Sequence, residues 1–414
     1  MKFRIYTFGC KTNQYDSELL KRSFLQFMEE AGPDESPDII IVNTCAVTHI
    51  AERKARTLIR HLLRSHPDSK LVVTGCYAER DPKKIKEIGD IIVIGNKEKE
   101  KIPSLLFPDL KISPSVIDNR KRKIRAFVKI QDGCDDFCSY CIVPYVRGRV
   151  RSRSTGEVIE EIKSLAGLGY PEVILTGIHI GRFEDEEKRL PDLIRLIAKD
   201  IPSLKRIRLS SLEPQEVDKD IIELFRDIPN LCPHLHLVVQ SGSNKVLKHM
   251  RRRYTREGYL SLIEEFRSVR EDIEFTTDII VGFPTEDEND FKDTISLIEE
   301  IEFIKVHIFP FSPRPGTEAF NLKPIDTKIV REREEILKEI ALKVAYNRLK
   351  RFVGTVQNIL IEGFSNGMAT GFTPKYVRVY ARTNSAIELG MIVPVVIERV
   401  EKLKDNVVLF GFIP

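Results

Sequence analysis

The sequence predicts an α/β protein in three parts: an N-terminal parallel-sheet α/β domain, a central partial (β/α)6 barrel and a small C-terminal antiparallel β-barrel. Three observations predict it. Short apolar runs alternate with helically spaced segments over the first hundred residues. A second alternation of six strand-like runs follows a polar, basic interruption. The last stretch loses helical periodicity and keeps only strands joined by Gly, Asn and Ser turns. A chain of 414 residues also exceeds one ordinary core, which favours two or three domains.

In the first part, "KFRIYTFG", "DIIIVNT", "KLVVTG" and "DIIVIGN" read as buried parallel strands, and Asn13–Glu30 and Thr48–Arg64 carry helical spacing, with Asn13 and Asp16 as helix-start residues. The basic run "DNRKRKIR", Asp118–Arg125, marks a boundary and separates a domain of residues 1–117 from one of residues 124–347. Within the second domain "AFVKIQ", "EVILTG", "KRIRLSS", "HLHLVVQ", "FTTDIIVGF" and "IKVHIFPF" are the strands, and a charged helix over about Asp326–Arg351 closes the region. Residues 350–414 hold "TVQNILIEG", "YVRVYAR", "MIVPVVIERV" and "NVVLFGFIP" as strands of the small barrel.

Composition narrows the function classes. Charged residues are 31% and hydrophobic residues 42%, which excludes a disordered chain and a membrane-embedded one. The net charge of +4 permits a nucleic-acid partner without arguing for it. The N-terminus lacks an apolar targeting core, and no apolar run is long enough to span a bilayer, so a cytoplasmic protein without a membrane partner is expected. Seven cysteines in such a chain point to metal ligation or catalysis rather than disulfides.

The cysteines fall into two sets and a remainder. "GCDDFCSYC" places Cys134, Cys138 and Cys141 in a C-x-x-x-C-x-x-C loop after the first strand of the central barrel, at the strand end where barrel chemistry sits. Three thiolates on a cubane cluster leave one iron open to an outside ligand. The alternative is a zinc site completed by a distant His or by Cys232. A ferredoxin-like carrier would need a further Cys followed by Pro, and "IVPYVRGR" comes instead. Cys10, Cys45 and Cys76 stand in "TFGC", "VNTC" and "VTGC", each just after a predicted parallel strand. Carboxyl ends of parallel strands share one sheet edge, so these three can converge on a second cluster; the alternative is that each is a small buried core residue. Cys232 is left as a structural residue.

Polar residues recur at the other barrel strand ends: Thr176 and Gly177, Ser211, Gln240 and Ser243, and Asp278. As a set on one rim they suit a cofactor and substrate cavity, while helix capping is the simpler reading for Ser211 or Ser243 alone. His179, His234, His236 and His307 stay unassigned. Arg147, Arg149, Arg151 and Arg153 alternate, which in extended backbone aligns them for phosphate contact; "RKRK" at Arg120–Lys123 and "RRR" at Arg251–Arg253 add basic clusters. Tyr376, Tyr380, Arg378 and Arg382 give the C-terminal barrel a face suited to RNA.

Cys134, Cys138 and Cys141, with Tyr140 before the last, resemble the fingerprint of the radical S-adenosylmethionine (radical SAM) enzymes. "FGCKTNQYDSE", "NTCAVT", "TGCYAE", "CSYCIVPYVRGRVRSR" and "QSGSNKVLKHMRRRY" narrow the resemblance to the methylthiotransferases of that class, over essentially the whole chain. The resemblance implies two 4Fe-4S clusters, one on Cys134, Cys138 and Cys141 with SAM on its open iron, and an auxiliary one on Cys10, Cys45 and Cys76. It also implies a C-terminal RNA-binding TRAM domain, SAM as both radical source and methyl donor, an electron donor such as a flavodoxin or ferredoxin, and a sulfur source. Three substrates are usual in the family: isopentenyladenosine in tRNA, threonylcarbamoyladenosine in tRNA, and an aspartate of a ribosomal protein. "GCKTNQYDSE" and "RGRVRSRS" resemble the threonylcarbamoyladenosine branch, where the isopentenyl branch usually reads "GCQMN". The expected activity is therefore methylthiolation of C2 of N6-threonylcarbamoyladenosine at position 37, beside the tRNA anticodon. The isopentenyladenosine reaction is the alternative, and a cluster-bearing RNA-binding regulator without turnover is the reading from another class.

Overall fold

The computed structural model describes residues 1–110, 124–383 and 386–414. The basic cluster Arg120–Lys123, and with it most of the expected boundary segment Asp118–Arg125, lies outside the described residues.

The N-terminal region is a five-stranded, wholly parallel sheet. From one edge its strands are Glu29–Glu30, Lys2–Thr7, Ile39–Thr44, Lys70–Gly75 and Ile92–Val93. The apolar run at Ile39–Val42 shows why it sits in the middle. Ile39 and Ile41 enter one core with Phe3, Leu20 and Phe24, while Ile40 and Val42 enter the opposite core with Ala55, Ile59 and Leu62. A strand that feeds two cores has no polar face, which is why the sequence reads as an unbroken apolar run. Helix His49–Ser65 starts as expected, with Thr48 Oγ1 accepting from Ala51 N at 3.1 Å. Helix Lys11–Phe24 differs: Cys10 occupies its N-cap position, so Asn13 and Asp16 lie inside the helix, both buried, and neither starts it. The helical reading of Asn13–Glu30 overruns: the helix ends at Phe24, and Glu29–Glu30 is an edge strand whose two acidic residues carry no strand pattern.

All six central strands form where the sequence places them. Arg125–Lys129, Glu172–Thr176 and Arg206–Leu209 make one parallel group; Ser211–Leu212, His234–Leu237, Glu274–Val281 and Lys305–Pro310 make the next. The third strand is broken at Ser210, where it passes from the first group to the second. The result is a parallel sheet curved into an open partial barrel, with one large core that joins Val128, Val173, Leu209, Leu237 and Phe275 of the strands to Ile162, Ile197, Phe225 and Phe266 of the surrounding helices. Helix Thr327–Leu349 follows, with Asp326 capping it through Lys328 N at 2.7 Å.

The C-terminal region is a closed five-stranded barrel of Val356–Ser365, Met368–Phe372, Arg378–Arg382, Ile392–Leu403 and Asn406–Phe412. It is antiparallel except where Arg378–Arg382 pairs in parallel with Asn406–Phe412 to close the ring, a correction to the all-antiparallel expectation. Its core continues into Ile304, Leu349 and Phe352, so the barrel is seated on the end of the long helix. No helix among the described residues is long and apolar enough to cross a membrane.

Candidate active site

At the N-terminal sheet edge the strands deliver Cys10, Cys45 and Cys76 together. Gly9 and Gly75, which precede the first and third, have φ of +102° and +92°, a conformation that turns the chain sharply off the strand end. A Cβ on Gly9 would stand 2.9 Å from Cys45 Cβ, so the first two junctions approach as closely as glycine permits. Buried polar side chains brace this edge. Asn13 Nδ2 donates to the Phe8 and Thr44 carbonyls at 2.8 and 3.1 Å, and Asn43 Nδ2 to the Asn13 carbonyl at 3.0 Å and Ser17 Oγ at 2.9 Å. Thr44 Oγ1 donates to the Thr74 carbonyl at 2.6 Å. The polar residues of "NTC" and "TGC" are therefore the frame of the triplet. Burial pushes the Cys45 thiol up to about 12 and raises Cys76 too, with the neighbouring thiols adding to the rise at Cys45 and Cys10 doing so at Cys76. Such thiols ionise only with a strong cationic partner, and a metal cluster is one. Cys10 alone is exposed.

Behind this triplet lies a buried charge network. Arg147, 1% exposed, bonds Asp132 Oδ1 at 2.8 Å and Asn13 Oδ1, lies 3.6 Å from Asp16, and acts on the Cys76 thiol. Asp16 also pairs with Lys99 and, at 2.6 Å, with Lys129. With Arg151 on Asp132 and Glu100 on Lys129, four cations face three carboxylates, an excess of one positive charge beside the Cys10, Cys45 and Cys76 thiols.

The loop triplet is built locally. Cys134 and Cys138 are buried, and Cys141 is partly so. Arg252 Nη1 donates to Cys138 Sγ at 3.3 Å, His179 Nε2 lies 3.5 Å from Cys134 Sγ, and Asp136 N donates to that sulfur at 3.4 Å. His179 is fixed by Glu216 at 2.7 Å; burial opposes its charge, but the contacts to Cys134 and Glu216 push it up to about 10. Arg252 also meets Glu213 and donates from Nε to Tyr254 Oη at 3.0 Å. Burial and the other two thiols push Cys141 up to about 12. Cys232 is elsewhere: it lies buried by Arg206, Arg208 and Glu172 near the amino ends of the strands and completes no site with the loop.

The remaining expected residues divide. Thr176 is buried with its hydroxyl unpartnered, as is the hydroxyl of Ser210 beside the partly exposed Ser211. A Cβ on Gly177 would stand 2.9 Å from the Gln131 carbonyl, which keeps that strand end tight. Gln240 adopts φ of +68° and donates its amide to the Asp278 carbonyl at 2.9 Å. Tyr140 packs beside Val246, Met250 and Phe283, within reach of Arg252. Ser243 caps helix Asn244–His249, the simpler of its two readings. Asp278 is engaged by histidine: His236 Nε2 is 3.3 Å from it, and burial, which would raise its pKa, is outweighed by His236, His307 and Lys11.

The arginine ladder is corrected. Arg147 ends helix Val143–Arg147 and points into the charge network, so the four side chains share no face. Arg153 is held by Glu161 at 2.6 Å and Tyr15 Oη at 2.9 Å. Arg149 and Arg151 keep exposed side chains and pair with Asp135 at 3.1 Å and Asp132 at 3.3 Å. Within "RRR", Arg252 is likewise buried at the loop triplet, leaving Arg251 and Arg253 outside. Tyr376 packs its ring 4.6 Å from the Arg208 guanidinium, 5.2 Å from that of Arg125 and 5.1 Å from the His234 ring, while Tyr380 stacks on Phe410 at 5.2 Å. A cavity of about 630 Å³ opens beside it, lined by His307, Phe309, Phe372, Arg378 and Tyr380.

Comparison with known proteins agrees with this geometry. Residues 128–298 match the radical SAM superfamily and residues 2–95 match a family described as uncharacterized protein family UPF0004. The chain is 37% identical to a threonylcarbamoyladenosine tRNA methylthiotransferase of Chlamydia pneumoniae, over 97% of this chain and 96% of that one. The chain belongs to the radical SAM methylthiotransferases. A tRNA-2-methylthio-N(6)-dimethylallyladenosine synthase of Thermodesulfovibrio yellowstonii is 36% identical over 96% of each chain. The radical SAM methyltransferase TsrM of Kitasatospora setae shares the fold, with a TM-score of 0.58 at 13% identity over 83% of this chain and 89% of that one. Radical SAM methylthiotransferases carry two 4Fe-4S clusters and use SAM. The residues here fit those groups: two convergent sets of three thiols, and unpartnered buried hydroxyls on Thr176 and Ser210 at the strand ends. What a methylthiotransferase of this kind still needs is a substrate, and two relatives of nearly equal identity differ in theirs.

Proposed function

We propose that this methylthiotransferase adds a methylthio group to C2 of N6-threonylcarbamoyladenosine beside the anticodon of tRNA. One triplet is exposed at Cys10, at the junction from which Lys11 reaches toward Asp278 and Tyr376 in the barrel, while the other closes the barrel rim. The observation that carries the choice of substrate is the polar character of this interior. Lys11, His236, Asp278 and His307 lie there, where a wholly apolar isopentenyl group would desolvate them without a return. The threonylcarbamoyl substituent offers a carboxylate, a ureido N–H and a hydroxyl to the same groups.

We assign Cys134, Cys138 and Cys141 to the cluster that binds SAM, and Cys10, Cys45 and Cys76 to the auxiliary cluster. Bound there, these groups supply one-electron cleavage of SAM, hydrogen abstraction from an unactivated carbon, and sulfur. The chain's own residues hold the thiols in place. Arg147 balances charge behind one triplet, and Arg252 donates to Cys138 in the other. The buried Thr176 and Ser210 hydroxyls orient polar groups of the bound cofactor, and the N-terminal sheet edge covers the open side of the barrel. Residues 1–117, 124–347 and 350–414 act as auxiliary-cluster, radical SAM and TRAM-like RNA-binding domains. Nucleoside mass spectrometry of tRNA from cells lacking the gene tests the reading. Loss of the 2-methylthio derivative of N6-threonylcarbamoyladenosine, with its precursor retained, is expected. Loss of only the isopentenyl derivative would overturn it, and absence of SAM-derived 5'-deoxyadenosine with the reconstituted protein and a reductant would favour the regulator.

A further inference from the structure

We infer that Lys11 is the specificity-determining residue of this site and pairs with a carboxylate on the N6 substituent of the substrate adenosine; the inference rests on the substrate reading above. Lys11 follows Cys10 directly, so the strand end that presents an auxiliary-site thiol also presents this ammonium. Its side chain extends away from its own sheet to the Tyr376 ring, with the ammonium 5.7 Å from the ring centroid. Burial lowers the Lys11 pKa and the Arg208 and Arg125 guanidinium groups add to the fall, while Tyr376 and Asp278 oppose it.

Among the described residues Lys11 forms no ion pair, in a protein where the other interior cations are matched: Lys99 and Lys129 by Asp16, Arg208 by Glu172, Arg252 by Glu213. The acid that acts on it, Asp278, is already engaged by His236 at 3.3 Å and keeps 30% of its side chain exposed. A cation without a counterion in such a place is costly, and an anionic ligand relieves the cost. Arg125 and Arg208 do not compete for that ligand. Arg125 pairs with Glu362 and stacks on Phe372 at 4.7 Å, and Arg208 bonds Glu172 at 2.7 Å and the Pro374 carbonyl at 2.8 Å. Arg378, in the cavity lining beside Tyr376, also lacks an acid among the described residues but lies over the Phe372 ring at 4.4 Å, and Lys11 is the one of the two that acts on both Asp278 and His307. Asp278 and His307 remain as acceptor and donor for the rest of a polar substituent.

The experiment measures equilibrium binding of anticodon stem-loop RNAs to the cluster-loaded protein without reductant, so that no turnover occurs. Three RNAs are compared: one carrying N6-threonylcarbamoyladenosine, one carrying its methyl ester, and one carrying isopentenyladenosine. The wild-type protein is expected to prefer the free acid over the ester by about 10- to 100-fold, the range of one charge-assisted hydrogen bond. Lys11→Gln should erase that preference while binding the ester as the wild type does, and Lys11→Arg should retain it. Iron content and the melting temperature of each variant confirm that the fold and clusters persist. A Lys11→Gln variant that keeps the acid-over-ester preference, or that weakens both RNAs equally, overturns the assignment of Lys11. A wild-type protein that binds the isopentenyl RNA tightly and ignores the acid overturns the substrate reading instead.

Discussion

The two cysteine triplets assemble the same kind of donor set by opposite routes. Cys134, Cys138 and Cys141 lie on one loop, and their spacing alone brings them together. Cys10, Cys45 and Cys76 come from three strand–helix junctions and meet only because three parallel strands end in register, with Phe3 opposite Ile39 and Ile39 opposite Lys70. Their surroundings differ as well. The loop triplet borrows single groups, Arg252 and His179, from other strand ends. The sheet-edge triplet has a buried network behind it in which Asp16 and Lys99 come from the N-terminal region and Lys129, Asp132 and Arg147 from the central one. A local motif needs only its loop, whereas a dispersed one has to be held by sheet register and by contacts between the two regions.

The largest test of this comparison removes each triplet in turn. Changing Cys134, Cys138 and Cys141 to Ala should reduce 5'-deoxyadenosine formation to background. Changing Cys10, Cys45 and Cys76 should leave some formation but end sulfur transfer to RNA. Each triple variant should fall from about eight irons per chain to about four, measured with sulfide after anaerobic reconstitution. If the second variant still methylthiolates RNA, the two sites have been assigned the wrong roles.

A smaller effect sharpens the contrast in surroundings. Arg147→Met leaves Asp132 without its main cation inside the protein, and should cost about 3–5 kcal/mol in denaturant unfolding. Arg149→Ala, which removes an exposed pair, should change stability by less than about 0.5 kcal/mol. The pH dependence follows in sign. Burial would raise the Asp132 carboxyl, yet Arg147, Lys129 and Lys99 hold it well below the usual carboxylate range. A depressed folded value contributes stability above the unfolded value of about 3.9 and loses it only as pH falls toward the folded one. Without Arg147 the carboxyl takes up its proton at higher pH, so that contribution shrinks and acid unfolding should begin at a higher pH. An unchanged acid limb would show that Lys129 and Lys99 suffice.

The smallest expected effect concerns the exposed remainder of the arginine run. Replacing Arg149 and Arg151 together by Ala should lower the magnitude of the salt slope of tRNA binding by up to about 2, since each phosphate contact contributes about 0.9. An unchanged slope would make both merely partners of Asp135 and Asp132.

The sequence by itself determined the elements and the two cysteine sets. Strand residues that feed two cores, such as Ile39–Val42, are apolar throughout, and the six central strands announce themselves by their runs. The C-x-x-x-C-x-x-C loop is legible because its cysteines are neighbours in the chain, and the second triplet because strand ends of a parallel sheet share an edge. Tertiary structure decided the destinations of charged side chains. Arg147, Arg252, Asp16 and Lys99 look in sequence like surface residues, and all have buried side chains because partners far along the chain neutralise them. Tyr376 and Lys11 meet although 365 positions separate them, through the packing of the first and last regions on the central barrel. Apolar burial is written in local periodicity, which the chain carries at every turn and strand. Charge burial depends on a partner whose position exists only once the chain has folded.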